Sequence, residues 1–252
     1  MNSKRGQITI FIIIAMIIII LGILIYMFYP EIKTTLGFQT ENPSVFIQEC
    51  IEKDVGDAIK LLSSQGGSIN PKHYILYNDE KIEYLCYTPT YYITCTIQQP
   101  MLRSHIESEI IKQIEEKSKK CFDDLEESYK KRNYNVDLKR GNEKVELLPN
   151  QIVVTYENPL VLTKGEDSDE YESFSVVVDN NLYELISIAN SILDWETTYG
   201  DAETTTYMNY YPDKKVEKKL QSDGTTIYIL TNRNTGDKFQ FASSSVAWPP
   251  GF

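Results

Sequence analysis

The feature that most constrains this chain is an uncharged apolar run near its N-terminus. No residue between Ile8 and Tyr29 carries a charge, and most of them are isoleucine, leucine, methionine or phenylalanine. A helix of that length is about 33 Å long, which is close to the apolar thickness of a bilayer. We therefore expect a transmembrane helix at 8–29, a cytoplasmic basic leader at 1–7 and a polar stalk at 30–42.

The charges that flank this run predict its orientation. Lys4 and Arg5 precede it, and Glu31 is the first charged residue after it. Because positive charge is retained on the cytoplasmic side, we expect a cytoplasmic N-terminus and an extracellular C-terminal domain, in a single-pass protein of the cell membrane. A cleaved secretory signal has a shorter apolar region and small residues at the cut, whereas bulky aromatic residues follow here.

The net charge restricts the partners. The formal charge is −11, and two of the basic residues lie in the leader, so the rest of the chain is more acidic still. Such a surface repels phosphate backbones, which excludes nucleic acid as a partner. The lipid bilayer is the expected partner of the N-terminal helix, and a protein or a glycan remains open as a partner at the surface.

Four cysteines, all beyond the apolar run, predict disulfides. An even number of cysteines outside the cytoplasm is normally oxidised, and the tight Cys-x-x-Cys pairs typical of zinc sites are absent from the sequence. Cys86 and Cys95 flank a proline-containing connection between two extended runs, and Cys50 and Cys121 lie on two predicted helices. Of the three possible pairings we favour Cys86 with Cys95 and Cys50 with Cys121.

The periodicity of the remaining chain predicts an α+β fold of antiparallel strands packed with two or three helices. Helices are expected from Asn42-Pro43 to Gly66-Gly67, from Met101 to Lys131 and after Asp179. We expect a cysteine-containing helix-hairpin-helix region at 43–132 and an antiparallel sheet with a covering helix at 133–252. Residues 134–178 read as one antiparallel meander, in which the acidic stretch 165–171 is a turn.

The side chains that could carry chemistry are few. His73 and His105 stand apart, no sequence motif of nucleophilic or metal-dependent hydrolysis is present, and neither a metal nor a cofactor is expected. Asp194, Glu196 and the acidic run 166–170 raise the question of calcium or of paired carboxylates, but the run lacks the spacing of a calcium loop.

Two groups of tyrosines have either a structural role or a stacking role towards sugars or peptides: Tyr84, Tyr87, Tyr91 and Tyr92, and Tyr207, Tyr210 and Tyr211.

The first residues resemble a known class of leader. Lys4-Arg5-Gly6-Gln7 followed by the apolar run resembles the class III signal peptide of archaeal type IV pilin-like proteins. The resemblance implies cleavage between Gly6 and Gln7 with the helix retained, and it covers about 25 residues. That family commonly has glutamate where this chain has Phe11, a departure that weighs against polymerisation. The anchor and the cysteine-containing helix together also resemble membrane-anchored proteins of small-genome archaea, which implies a location and no chemistry.

Three hypotheses follow from the sequence. The leading one is a membrane-anchored extracytoplasmic protein with a structural or binding role and no catalytic activity. A type IV pilin-like subunit, which assembles with copies of itself through the N-terminal helix, is the second. The third is a membrane-anchored hydrolase whose site has no recognisable motif.

Overall fold

The structure is a computed structural model that describes residues 14, 16–20 and 42–246. The chain divides into two compact units, Met1–Phe46 and Ile47–Phe252. Residues 14 and 16–20 are helical. Within the described residues, no helix has the combination of length and apolarity needed to cross a bilayer. The expected leader at 1–7 lies outside the described residues, as do most of the expected spanning helix at 8–29 and all but the last residue of the expected stalk at 30–42.

The folded part of the chain is α+β, as the sequence predicts. Its helices are α1 (Pro43–Ser64), α2 (Leu102–Lys131), α3 (Leu182–Tyr199) and α4 (Thr204–Tyr210). Its strands are β1 (Tyr74–Tyr77), β2 (Glu80–Tyr87), β3 (Thr96–Ile97), β4 (Asn135–Leu138), β5 (Glu143–Leu148), β6 (Gln151–Tyr156), β7 (Leu160–Lys164), β8 (Asp167–Tyr171), β9 (Phe174–Asp179), β10 (Lys214–Leu220), β11 (Thr226–Asn232) and β12 (Lys238–Ser244).

The helices begin and end where capping residues occur in the sequence. Asn42 accepts a hydrogen bond at Oδ1 from the backbone N–H of Ser44, 2.8 Å away, and Pro43 is the first residue of α1. Beyond the end of α1, Gly66 and Gly67 both have positive φ, a conformation that costs glycine little. Gly200, also with positive φ, ends α3.

The largest sheet has six strands and is mixed, which corrects the expectation of a purely antiparallel sheet. Its order is β1-β2-β12-β11-β10, and β3 pairs with β2. Every pair is antiparallel except β2 with β12, in which Tyr84 lies opposite Ala242. Alternation of apolar residues predicts that a segment is a strand but not the direction of its partner, and these partners are far apart in sequence. This pair also joins the predicted region 43–132 to the predicted region 133–252 in one sheet.

The expected single meander is instead two three-stranded sheets. Their orders are β4-β7-β8 and β5-β6-β9. After the β5–β6 hairpin, β6 pairs with β9, so that Ile152 lies opposite Val178. The intervening hairpin β7–β8 pairs with β4. Turn residues mark where strands end, but they do not show that consecutive strands are neighbours, and this is why the meander prediction was wrong.

The acidic stretch 165–171, expected as a turn, forms the edge strand β8. Gly165, with φ of +65°, makes the turn, and Lys164 then pairs with Asp167. Residues 167–170 are exposed, so their carboxylates remain in water while the backbone of β8 bonds to β7. Charged side chains on an edge strand also oppose pairing with another chain.

The disulfides expected from the sequence are present. Cys50 of α1 is bonded to Cys121 of α2 with a Cα–Cα distance of 6.0 Å, and Cys86 of β2 is bonded to Cys95 with a Cα–Cα distance of 5.4 Å. The first joins two helices across 71 residues of sequence. The second closes a short connection beside β3.

Two of the helices pack against the sheets. α2 packs on β4 and β5, and α3 packs on β2, β11 and β12. The hydroxyl of Tyr228, on β11, donates a hydrogen bond to Glu196 of α3, so this side of the large sheet faces the helix. Because side chains alternate along a strand, Ile229 points to the opposite face, and this face carries the site described next.

Candidate binding groove

An open groove of about 760 Å³ lies on the face of the large sheet opposite α3. Its floor contains Glu217, Ile229 and Gln240, which lie side by side on β10, β11 and β12. The β1–β2 hairpin contributes Tyr77 to the lining. Volumes between about 300 and 1,000 Å³ are typical of small-molecule sites.

One wall of the groove is the C-terminal half of α1. Ile59, Lys60 and Ser63 line it, together with Gly56. Gly56 lies in the interior of the helix, where glycine is about 1 kcal/mol less favourable than alanine. A Cβ built on it would meet no atom within 4 Å, so neighbouring side chains do not require glycine there. The absent side chain leaves space that belongs to the groove.

The hairpin that carries Tyr77 is fixed in two ways. Asn78 and Asp79 both have positive φ, the conformation of a two-residue hairpin turn of type I′. The Gln240 side chain donates from Nε2 to the backbone oxygen of Ser64 at 2.8 Å and to Oε2 of Glu80 at 2.5 Å. Gln240 thus links the end of α1 to the hairpin across the floor.

The far end of the groove is held by a network that we call the asparagine junction, which comprises Asn150, Asn180, Asn181, Asn232, Thr235 and Asp237. Asn180 Nδ2 donates to Asp237 Oδ1 at 3.0 Å, and the backbone N–H of Asn181 donates to Asp237 Oδ2 at 3.0 Å. Asn181 Oδ1 accepts from Asn232, and Asn181 Nδ2 donates to Asn150 Oδ1 at 2.9 Å. The junction joins the β5–β6 turn, the start of α3 and the β11–β12 turn.

The carboxylates of the groove already have partners. Glu217 lies between Lys215 and Lys219, with N···O distances of 2.9 and 3.2 Å. Asp237 belongs to the asparagine junction, and Glu80 accepts the hydrogen bond from Gln240. The groove therefore offers donors and acceptors without an unpaired carboxylate of its own in the described residues.

The predicted tyrosine groups do not form this site. Tyr84 and Tyr87 pack with His73, with ring centroids 4.6 Å apart for His73–Tyr84 and 4.1 Å for His73–Tyr87. The Tyr84 hydroxyl is buried against Thr225 at 2.9 Å. The remaining tyrosines of the two groups are absent from the lining: Tyr91, Tyr92, Tyr207, Tyr210 and Tyr211. Sequence reasoning missed Tyr77 and Gly56, which both line the groove. A glycine inside the predicted first helix was a local signal at Gly56, but it does not show what lies beside the helix, and no sequence signal pointed to Tyr77.

His105 belongs to a polar cluster with Ser68 and Glu83, whose serine and histidine are the residue types of a nucleophile and a general base. Ser68 Oγ lies 2.8 Å from His105 Nε2, and burial lowers the pKa of His105. Burial also raises the pKa of Glu83, whose carboxyl bonds to Ser68. Ser68 is only 6% exposed and lines neither the groove nor the smaller pocket beside it. The cluster fastens the segment after α1 to α2.

Asp194 and Glu196 do not face one another. Asp194 is exposed, whereas Glu196 is 2% exposed on the inner side of α3. Burial raises the pKa of the Glu196 carboxyl, which accepts hydrogen bonds from Tyr228 and, at 2.9 Å, from Ser243. This pair therefore cannot act as two carboxylates across a cleft.

Other predicted site residues have a defined placement or lie outside the described part. The cysteines Cys50, Cys86, Cys95 and Cys121 are all in disulfides. Lys4, Arg5, Gly6 and Gln7 lie outside the described residues. Among the described residues, no group of three or more histidine, cysteine, aspartate or glutamate side chains is placed to hold a metal ion.

Comparison of the chain with protein-family models, with curated proteins and with solved structures gave no match.

Proposed function

We propose that this chain is a single-pass, membrane-anchored protein whose folded domain binds a ligand on the extracytoplasmic side. The observation that carries the proposal is that all four cysteines are oxidised in a chain that begins with an apolar run of membrane-spanning length. Disulfides persist in oxidising compartments and are rare in the cytosol. The charge flanking the run favours the same orientation, with Lys4 and Arg5 inside.

The described part of the apolar run supports an environment other than water. Its large side chains are 48–64% exposed and helical: Ile14, Met16, Ile17, Ile18, Ile19 and Ile20. A contiguous exposed apolar surface of this kind marks contact with a membrane or with another protein. The proposed spanning helix at 8–29 provides that contact through lipid.

The groove supports a binding role rather than a catalytic one. Its carboxylates are engaged in ion pairs or hydrogen bonds, and Ser68 and His105 are not among its lining residues. Gly56, by contrast, leaves unfilled space in the groove wall at a cost to helix stability. A ligand that approaches the backbone of α1 would explain why glycine, which lowers the stability of the helix, occupies this position.

Topology is tested by protease treatment of intact cells that express the full-length chain. We expect digestion of the domain before lysis, and retention of the chain in membranes until detergent is added. A variant with Ile18→Lys and Ile19→Lys is the matched control, because two charges at the centre of a span cost about 2.5–3.5 kcal/mol each. Recovery of the unaltered chain in the soluble fraction, or digestion only after lysis, would overturn the proposed location.

A second candidate function is a pilin-like subunit, which the sequence Gly6-Gln7 before the apolar run favours. N-terminal sequencing of the mature protein distinguishes the two. Cleavage after Gly6 together with filaments seen by electron microscopy would support the subunit. An intact N-terminus without filaments would support the membrane-anchored binding protein instead.

A further inference from the structure

We propose that the groove binds a neutral saccharide chain. The proposal deepens the binding role proposed for the domain and names its ligand class. It rests on the hydrogen-bonding groups, the charge balance and the shape of the groove.

The lining presents groups that suit hydroxyls. A sugar hydroxyl donates one hydrogen bond and accepts others, so it needs both kinds of partner within reach. The groove offers the hydroxyl of Ser63, the amide oxygen of Gln240 and the ammonium groups of Lys60 and Lys238. The amide of Asn180 and the hydroxyl of Thr235 also line it, and both are bonded within the asparagine junction. Several of these side chains are held in place by bonds to other protein groups, so little conformational entropy is lost when a ligand binds.

The charge balance disfavours a strongly charged ligand. Glu80, Glu217 and Asp237 are already paired or hydrogen-bonded, so a cation finds no unpaired carboxylate among the described lining residues. An anion would meet Lys60 and Lys238 but also these three carboxylates, in a chain of formal charge −11. A neutral ligand avoids both penalties.

Tyr77 and Gly56 supply the apolar contacts that a sugar ring needs. Tyr77 is half-buried, packs against the sheet and presents a rigid, amphipathic ring to the groove. The CH groups on one face of a pyranose can lie against such a ring, and Ile229 extends the same apolar strip. The space at Gly56 lets the opposite side of the ring approach the α1 backbone.

An extended peptide fits this site less well. Peptide recognition uses deep pockets for side chains or an unpaired strand edge for the backbone. In the floor of the groove β11 lies between β10 and β12, so that Ile229 pairs with Glu217 on one side and with Gln240 on the other and its backbone groups are engaged.

The test uses the full-length chain in a polyoxyethylene detergent, because detergents with sugar headgroups would compete. Neutral oligosaccharides of two to six residues, built from glucose, galactose, mannose and their N-acetylated forms, are immobilised and compared with uronate polymers and with unstructured peptides. Tyr77→Ala and Gly56→Leu are the groove variants. Tyr74→Ala is the matched control, since Tyr74 is a 38% exposed tyrosine on the opposite face of the same strand.

We expect at least one neutral oligosaccharide to bind, and we expect Tyr77→Ala and Gly56→Leu each to weaken that binding by about tenfold or more. Tyr74→Ala should bind as the unaltered chain does, and circular dichroism should show all three variants folded. The saccharide proposal is overturned if only charged polymers or peptides bind, if nothing binds, or if the groove variants bind unchanged. None of these outcomes bears on the membrane location, which is tested separately by protease treatment.

Discussion

At the scale of single residues, Gly56 is the position where stability and the proposed binding role conflict. It occupies the interior of a 22-residue helix, and nothing lies within 4 Å of the place where its Cβ would be. Glycine loses more conformational freedom on folding than any other residue, so alanine should be better for the fold. The glycine is explained only if the space beside it is used.

Gly56→Ala is therefore expected to stabilise the domain by about 0.5–1 kcal/mol. Gly165→Ala is the matched control, because Gly165 also has free space around its missing Cβ but has φ of +65°. A Cβ in that conformation costs about 1–2 kcal/mol, so this variant should be less stable than the unaltered chain. Urea unfolding of both variants measures the two signs, and a loss of stability in Gly56→Ala would contradict the assignment of open space.

Glu196 is a buried carboxyl that makes stability depend on pH. Burial raises its pKa above the ordinary value near 4.5, so the folded chain holds this proton more tightly than the unfolded chain. Its contribution is fully present below pH 4.5 and declines as the pH rises through the raised pKa of the folded state. Each unit of pKa difference corresponds to about 1.4 kcal/mol.

We expect Glu196→Gln to remove this decline while keeping a hydrogen-bonding side chain beside Tyr228 and Ser243. The free energy of unfolding of the variant, relative to the unaltered chain, should rise as the pH increases above 4.5 and level off only above the raised pKa of Glu196 in the folded state. Asp194→Asn, exposed on the same helix, should show no such rise. Denaturant titrations at several pH values measure the difference, and parallel curves for the unaltered chain and Glu196→Gln would contradict it.

At the scale of elements, side chains from the helices complete the edges of one small sheet. The Gln48 amide of α1 accepts from the Val177 N–H and donates to the Val177 oxygen of the edge strand β9, both at 2.9 Å. On the opposite edge, Glu107 of α2 accepts from the N–H of Leu147 in β5 at 3.0 Å. These bonds occupy backbone groups that would otherwise be free to pair with another chain.

The two disulfides should differ in how much they stabilise these elements. If chain entropy dominates, the bond that spans 71 residues contributes about 4.4 kcal/mol and the one that spans 9 contributes about 2.7 kcal/mol. Replacing Cys50 and Cys121 by serine should therefore cost more stability than replacing Cys86 and Cys95. Unfolding of both double variants under non-reducing conditions tests the order, and the reverse order would show that packing around Cys86 and Cys95 outweighs loop length.

At the scale of the whole molecule, the parallel pair β2–β12 makes the early and late parts of the domain depend on each other. β2 lies between the hairpin strand β1 and the C-terminal strand β12, and α3 packs on both β2 and β12. We therefore expect neither the cysteine-containing region 43–132 nor the segment 133–252 to keep its part of the large sheet without the other. The groove also depends on both segments, because its lining residues come from 43–132 and from 133–252.

We expect the domain to unfold in one cooperative step. Native-state hydrogen exchange should give amides in α1 and β11 the same, highest opening free energy, whereas amides of the edge strand β8 should exchange by local opening. Separate opening of α1, β1 and β2 at a lower free energy would show that residues 43–132 are an independent unit.

The elements could be read from the sequence because their signals are local. Asn42, Pro43 and the two glycines after α1 act within one turn of helix, and period-two alternation acts within one strand. The site could not be read in this way. Tyr77 and Gly56 have ordinary neighbours in the sequence, and only the sheet brings them to one groove.

The sequence alone determined the length of the apolar run, the acidic balance, the positions of the helices and most strands, and an even set of cysteines beyond the run. These properties depend on the composition of the chain or on residues that are adjacent or one turn apart. The tertiary structure decided that β2 lies parallel to β12, that the predicted meander is two sheets, that Glu196 is buried while Asp194 is exposed, and that a groove exists. Each of these depends on contacts between residues far apart in the chain, whose free energies are set by packing in three dimensions and leave no local pattern.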